Sequence, residues 1–547
     1  TLTLTNVASG DSGSTTYPEV NGDAVATYSN PFNTDINTVI GRPSNFVTLN
    51  PLDTNLGTAI NNGNLNTGTA GTSAWELVKS TIGVSSGRWY WEGKSEGGTT
   101  SPSSGYHFGV MLTSLSTSGG PYQTGCYSSQ HIYVYQASTS TTIADGTQKN
   151  IAWALDLDEN TLKFYVEGVL QHTYTSVPAG EYTPFGGSYG SSLSVTFNFG
   201  QKPFVYPPPE GYNPLSVANL PTPAFVRPDS VVGVATYAGN GSAVSVTGYN
   251  FSPDLIWIKG YTDGDRHGVF DTLRGVQERL QASEPDNEDT VNGVMSFNSN
   301  GFSVGDYADT NGTGRGYVAW CWKAGGSSNT FNVDDVGYAS AAAAGLDDGT
   351  VTPTGVSVGT KQGFSIIKWT RAGATDTISH GLSEAPTFII QKSTSADDPW
   401  QVGGPFVGSG WDRRMYLNTT DNEEDSTSFG WTGNFGPTST VIRTGGTSYV
   451  DGDMIAYCWH DVPGLQKFGT YEGNNSTNNT YVELGFEPAI IIFKNIDSDA
   501  NWMIYDNVRD KSNEAYKCLY PNLQNDENDT ATDNMIDILS TGFKVRN

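Results

Sequence analysis

Basic residues are scarce. Only 28 Lys and Arg stand against 56 Asp and Glu in 547 residues, giving a formal net charge of -28. Binding to phosphate-rich partners needs clustered cations, so neither nucleic acid nor an anionic membrane is expected as a ligand. Such a surface keeps the chain soluble, and in high salt its self-repulsion is screened. Cysteine is sparse as well. Cys126, Cys321, Cys458 and Cys518 have neither zinc-site spacing nor the density of a secreted disulfide framework. Cys321 and Cys458 each lie between aromatics in an apolar strand and read as small buried thiols. No apolar run approaches the roughly 20 residues of a membrane-spanning helix, and no signal peptide is visible at Thr1, so no membrane insertion is expected. The six His, at 107, 131, 172, 267, 380 and 460, contain no His-x-x-x-His or Glu-x-x-His pair. No nucleophile elbow set between a strand and a helix is read, and phosphate-loop and catalytic-triad signatures are missing, so no enzyme activity and no cofactor are expected. Long amphipathic helical periods are missing too; the best helical candidate, 271–283, is short.

What is present favours strands. Hydrophobic residues make up 36% of the chain and aromatics 12%, with 65 Gly and abundant Thr, Ser and Asn. That composition suits short strands joined by many turns, an all-β chain with room for several domains. A domain-sized pattern recurs. Pro253, Pro386 and Pro488 introduce the runs PDLIWIK, PTFIIQK and PAIIIFK, each ending in Lys. Tyr237, Trp369 and Tyr471 stand 16 or 17 residues before these Pro, and His267, Trp400 and Trp502 stand 14 after. Two units close with similar strands, YVAWCW ending at Trp322 and MIAYCW ending at Trp459, roughly 70 residues after their Pro. The third does not reach its own by Asn547, so we expect either a segment of a longer polypeptide or a strand supplied by another chain.

The resulting division is an extended connector over 1–60, a β-sandwich over 61–204, a Pro-rich linker over 205–228, and β-repeats over 229–326, 327–464 and 465–547. The second repeat carries an N-terminal extension, linker or hairpin, and the third is incomplete. Within 61–204, residues 150–158 and 161–167 alternate as a hairpin turning at Glu159 and Asn160, and 194–200 alternates as a half-buried strand. GRWYWE at 87–92, YHFGV at 106–110, the LDLD…LKFYVEG hairpin, YTPF at 182–185 and VTFNFG at 195–200 resemble the successive strands of a SPRY domain. The resemblance implies a bent sandwich of two antiparallel sheets, a concanavalin-like jelly roll, whose loops bind protein or peptide partners.

The repeats resemble a domain that accompanies SPRY-like modules in structural proteins of marine bacteriophages, tail and fibre proteins among them. GFSV at 301–304 and GFKV at 542–545 carry this likeness, together with FDxxR ending at Arg274 and YDxxR ending at Arg509. The middle repeat lacks the last motif and has Gly403, Gly404 and Pro405 in that region. NPFN at 30–33 and NFVTLNPL at 45–52 resemble segments that precede SPRY-like domains in such proteins.

This resemblance implies a virion tail or fibre component, extracellular, that attaches to a host-surface receptor, glycan or protein. Other virion proteins and a homo-oligomer, a trimer by analogy with fibres, are its expected partners. The alternatives are a bacterial surface adhesin or filament protein and a glycan-degrading tail protein, the latter needing a pair of acids set across a cleft. His267, Trp400 and Trp502 are the candidate ligand contacts, by stacking on sugar, against packing at a core or interface. Asp156 with Asp158, Asp451 with Asp453, and 421–425 are candidates for weak Ca²⁺ binding, against ordinary turn acids. The Asp-x-x-Arg pairs are read as local salt bridges across one turn.

Overall fold

In the computed structural model the chain forms two compact units, Thr1–Pro221 with Tyr471–Gly485, and Thr222–Thr470 with Phe486–Asn547. The structure describes residues 38–39, 42–43, 46–56, 60–68, 75–96, 105–130, 133–142, 150–189, 194–220, 225, 227–373, 376–404, 411, 413–425, 436–443, 451–473, 480–527 and 535–546. The NPFN segment at 30–33 lies outside them. The chain is all-β. Among the described residues its helices are one four-residue turn, Ala308–Asn311, and short 3-10 turns.

The first unit stacks two antiparallel sheets. One runs in the order Val169–Thr175, Thr161–Val166, Asn150–Asp156, Arg88–Glu96, Ser194–Asn198; the other runs Leu49–Thr54, Trp75–Ser80, Tyr182–Tyr189, Gly105–Leu112, Cys126–Gln130, Tyr133–Gln136, Thr139–Thr142. Period-two alternation decides their faces: Trp91, Trp153 and Phe197 of the first sheet meet Phe108, Val110 and Tyr182 of the second in one core. The hairpin expected at 150–167 is present, with Asn160 at a φ of 53° in its turn. Leu49–Thr54 pairs with Trp75–Ser80, so this part of the expected connector is a strand of the sandwich.

Most of the Pro-rich segment is docked on this unit and does not run free. Its prolines cannot donate to a ladder, but the Glu92 carboxylate accepts from Val205 N–H at 2.9 Å and Tyr206 N–H at 3.0 Å. Phe204 and Tyr212 pack with Tyr90, and Asn213–Pro214 pairs with the Arg88–Glu96 strand.

In the second unit the first two repeats repeat one sheet order. Val232–Ala238, the closing strand Gly316–Trp322, the Pro-led strand Leu255–Gly260, then Gly268–Asp271 and Glu278–Gln281 lie side by side. The second repeat matches with Phe364–Arg371, Gly452–Trp459, Phe388–Ser393, Gln401–Gly403 and Arg413–Tyr416. Its extension adds the hairpin Phe331–Val333/Val336–Tyr338 and the strand Gly355–Gly359 to the same sheet. The third repeat contributes Ile490–Phe493 with Met503–Asp506, and Ile536–Leu539 with Gly542–Val545. The helix expected at 271–283 is a strand end, a turn and a strand, because Asp271 Oδ1 accepts the N–H groups of Leu273 and Arg274 and closes the chain tightly there.

Repeats one and two each bury a core of their own, around Ile256, Phe302 and Cys321 in the first and Val356, Trp369 and Cys458 in the second, and a further cluster joins all three. Trp257 and Trp320 of the first, Tyr457 and Trp459 of the second, and Trp502 and Ile504 of the third belong to one hydrophobic cluster. Three equivalent backbone bonds tie the repeats into a closed ring: Glu288 N–H to Thr394 O at 3.1 Å, Glu423 N–H to Ile496 O at 3.2 Å, and Glu527 N–H to Tyr261 O at 3.0 Å. The acceptors each stand eight residues after their Pro. Pro253, Pro386 and Pro488 are buried where these Pro-led strands begin.

Candidate functional site

The residues nominated for ligand contact lie inside that ring. His267 is 0%, Trp400 1% and Trp502 3% exposed. Trp400 Nε1–H donates to Gln281 O at 2.7 Å, joining repeat two to repeat one; Trp502 Nε1–H donates to Tyr416 O at 2.8 Å, joining three to two. His267 completes the set. Its Nε2 lies 3.0 Å from Tyr520 O of repeat three, and its Nδ1 accepts from Trp257 Nε1–H at 2.9 Å, so the proton sits on Nε2. These three side chains are junction pins, and no sugar can reach them.

Burial, reinforced by the Lys259 and Arg509 charges, pushes the His267 imidazole well below its ordinary value, against its bond to Tyr520. The unfolded chain therefore takes up a proton as pH falls through about 6.5 while the folded ring does not, and stability is lost with a limiting slope of about 1.4 kcal/mol per pH unit. A His267→Gln chain should lack that component. Urea unfolding of both proteins between pH 7 and pH 5 checks this: the wild type loses more stability over the range, and parallel curves would contradict it.

The other marker residues are structural as well. Tyr237 and Trp369 sit in the first strands of their repeats, with Trp369 fully buried, and the Trp322 and Trp459 rings lie 6.5 Å apart. Tyr471 belongs to a segment that packs with the first unit, outside any strand. Asp271 and Arg274 form a fully buried pair at 2.6 Å, and Asp271 also accepts from Tyr457 O–H of repeat two at 2.8 Å. Asp506 and Arg509 repeat this at 2.7 Å, with Trp320 Nε1–H of repeat one on Asp506 at 3.2 Å. Trp320 and Tyr457 are equivalent positions of the two closing strands, and Gly404 stands at the acid's place in repeat two.

The Cys321 and Cys458 thiols are free and buried, as their setting implies, and burial raises their pKa. The acids considered for Ca²⁺ have partners within the protein. Asp156 pairs with Arg88 at 2.9 Å and Asp158 accepts from Gly87 N–H; Asp451 pairs with Arg371, Asp453 accepts from Thr370, and Glu424 pairs with Arg414. Among the described residues no group of three or more His, Cys, Asp or Glu is placed to hold a metal ion.

An accessible constellation occurs instead in the first unit, on the outer face of the seven-stranded sheet. Register puts Trp75, Tyr189 and His107 on one side of three adjacent strands, with Tyr133 and Tyr135 two strands further on. Trp75 lies 4.8 Å from His107 and 5.4 Å from Tyr189, ring to ring, and His107 lies 5.0 Å from Tyr135. The loop after Gly105–Leu112 sets Tyr122 above them, 5.6 Å from Trp75 and 5.1 Å from His107. Gly120 lets it do so: its φ is +73°, and a Cβ there would stand 3.1 Å from the Trp75 ring. Gln123 Nε2 holds the loop shut through Ser116 O and Gly120 O, both at 2.8 Å.

His107 is 0% exposed and held from both ends, Nδ1 by Ser128 Oγ at 2.7 Å and Nε2 by Tyr122 Oη at 3.2 Å. Tyr122 at 39% and Tyr189 at 44% are open to solvent. Burial raises the Tyr122 and Tyr135 phenols, so both keep their protons at neutral pH. The sheet thus presents flat rings for stacking and phenol hydroxyls for hydrogen bonding. A signal for this platform exists in the sequence. Residues 97–144 contain no Asp, Glu, Lys or Arg, in a chain with 84 charged residues (56 acidic and 28 basic), and they are rich in Tyr, Ser and Thr.

Fold and site define an all-β protein in which a sandwich bearing an aromatic platform precedes a ring of three repeats. The chain belongs to the family described as Domain of unknown function (DUF7483), whose model matches residues 227–547 and so runs through all three repeats. Among solved structures it is similar to the SPRY domain of human HERC1, at 19% identity and a TM-score of 0.24 over 27% of this chain and 96% of that one. The TRIM65 PSpry domain is similar at 15% identity and a TM-score of 0.24, over 28% and 92%. No curated protein matches the chain.

Proposed function

We propose that this chain is a non-enzymatic virion component, a bacteriophage tail or fibre protein that attaches to the host surface through the aromatic platform, and that its receptor group is an uncharged glycan. The observation that carries the reading is the platform itself: Tyr122 and Tyr189 are open to solvent beside Trp75, and Tyr122, Tyr133 and Tyr135 belong to a segment free of charge, on a protein whose net charge is -28. Sugar C–H faces stack on such rings, while tyrosine and serine hydroxyls serve the sugar hydroxyls. The likeness of the repeats to structural proteins of marine bacteriophages supplies the biological setting. Copies of the chain assembled together then multiply weak contacts through effective concentration. Purified protein in excess should reduce virus adsorption to host cells. The Trp75→Ala/Tyr189→Ala protein, folded by circular dichroism, should need at least about tenfold more to do so, a difference of about 1.4 kcal/mol. Equal potency of the two proteins, or no inhibition by either, would overturn the proposal.

A further inference from the structure

A cleft opens where the extension of repeat two meets repeat one. It measures about 470 Å³ and is lined by Thr272 and Leu273 of the Asp-x-x-Arg turn, Asn329, Thr330 and Thr354 of the extension, and Lys368, Thr370 and Asp453 of the second repeat's sheet. Its volume falls in the range of small-ligand sites, about 300–1,000 Å³. Lys368 is half-buried on this face, and among the described residues its ammonium has no carboxylate or carbonyl partner. Asp453 uses one oxygen to accept from Thr370 Oγ1–H at 2.7 Å.

The repeat pattern does not require either charge. Counting back from Trp369 and Trp459, Lys368 and Asp453 correspond to Thr236 and Gly316 in the first repeat. The wall formed by residues 329–330 and 354–355 belongs to the extension, which follows the first repeat's closing strand and precedes the second repeat's first strand. A cation set among hydroxyls and an amide, beside an acid and one apolar side chain, matches one kind of ligand. The ammonium takes a carboxylate, Asn329 and the threonines take hydroxyls, and Leu273 meets the C–H face of a ring.

We propose that this cleft binds an acidic saccharide, a sugar unit bearing a carboxylate. The probe is trigalacturonate, with maltotriose as the uncharged control, each titrated into the full chain and followed by calorimetry. Saturable binding of trigalacturonate is expected, at least tenfold tighter than maltotriose. Lys368→Gln should weaken it at least tenfold. Gly355→Leu should abolish it by filling the cleft, since a Cβ at 355 points among Thr330 and Leu273 with no atom closer than 3.4 Å. Lys368→Gln removes no hydrogen bond or ion pair of the ammonium among the described residues, so that variant carries the test even if Gly355→Leu misfolds. Equal affinity for the two sugars, absence of saturable trigalacturonate binding at millimolar concentration, or unchanged affinity of the Lys368→Gln protein would each overturn the proposal.

Discussion

Asp271→Ala should destabilise the three-repeat unit by about 3–5 kcal/mol, because it strands a buried guanidinium. Asp271 holds four groups at once: the N–H groups of Leu273 and Arg274, Arg274 Nε–H, and Tyr457 O–H. Arg274 is fully buried, and its remaining acid, Glu288, is partly exposed at 3.1 Å. The loss therefore exceeds that of any one hydrogen bond. Tyr457→Phe removes only the hydroxyl, which donates to Asp271 and accepts a longer bond from Arg274 Nη2 at 3.5 Å, and should cost about 1–1.5 kcal/mol. Urea unfolding followed by tryptophan fluorescence measures both, and the double variant separates them. If Tyr457 acts mainly through Asp271, adding Tyr457→Phe to Asp271→Ala should cost less than it does in the wild type. Equal, additive costs would mean that Tyr457 contributes by packing alone.

Trp400→Ala and Trp502→Ala should each cost about 3–5 kcal/mol, the range for removing a buried indole from a close-packed core. Each also frees a carbonyl of the neighbouring repeat, Gln281 O or Tyr416 O. Trp400→Phe keeps most of the volume and should cost about 1–2 kcal/mol. Against a typical total of about 5–15 kcal/mol, either alanine change should shift unfolding of the three-repeat unit well below that of the wild type. Both indoles belong to one cluster, so the double alanine variant should deviate from additivity by about 0.5–3 kcal/mol. Strict additivity would mean that the junctions are independent, and the closed ring would then have no energetic meaning. Thermal and urea unfolding of the four proteins decide the matter.

Much of the fold is written locally. The Pro-led runs, the closing strands at Trp322 and Trp459 and the hairpin at 150–167 are legible because strand periodicity and turn residues act over a few positions. The equivalence of His267, Trp400 and Trp502 is legible from spacing alone. Their role is not, since an aromatic beside an apolar strand suits a sugar or a neighbouring repeat equally well, and only ring closure supplies the neighbour. The helix expected at 271–283 fails for a related reason: Asp271 caps a tight turn and is held there by a tyrosine 186 residues away.

The platform shows the same division. The sequence holds the charge-free segment and its tyrosines, but Trp75, His107, Tyr122 and Tyr189 meet only through the register of three strands and a loop pinned by Gln123. By itself the sequence determined an all-β chain, the three-repeat pattern, free buried thiols in the closing strands, and a twofold excess of acidic over basic residues. These follow from periodicity, spacing and charge, which are properties of neighbours along the chain. Tertiary structure alone decided that a shared cluster joins the three repeats, which aromatics are junction pins, and which remain open to solvent. Burial depends on what arrives from far along the chain, and closure of the ring and the sheets fixes that.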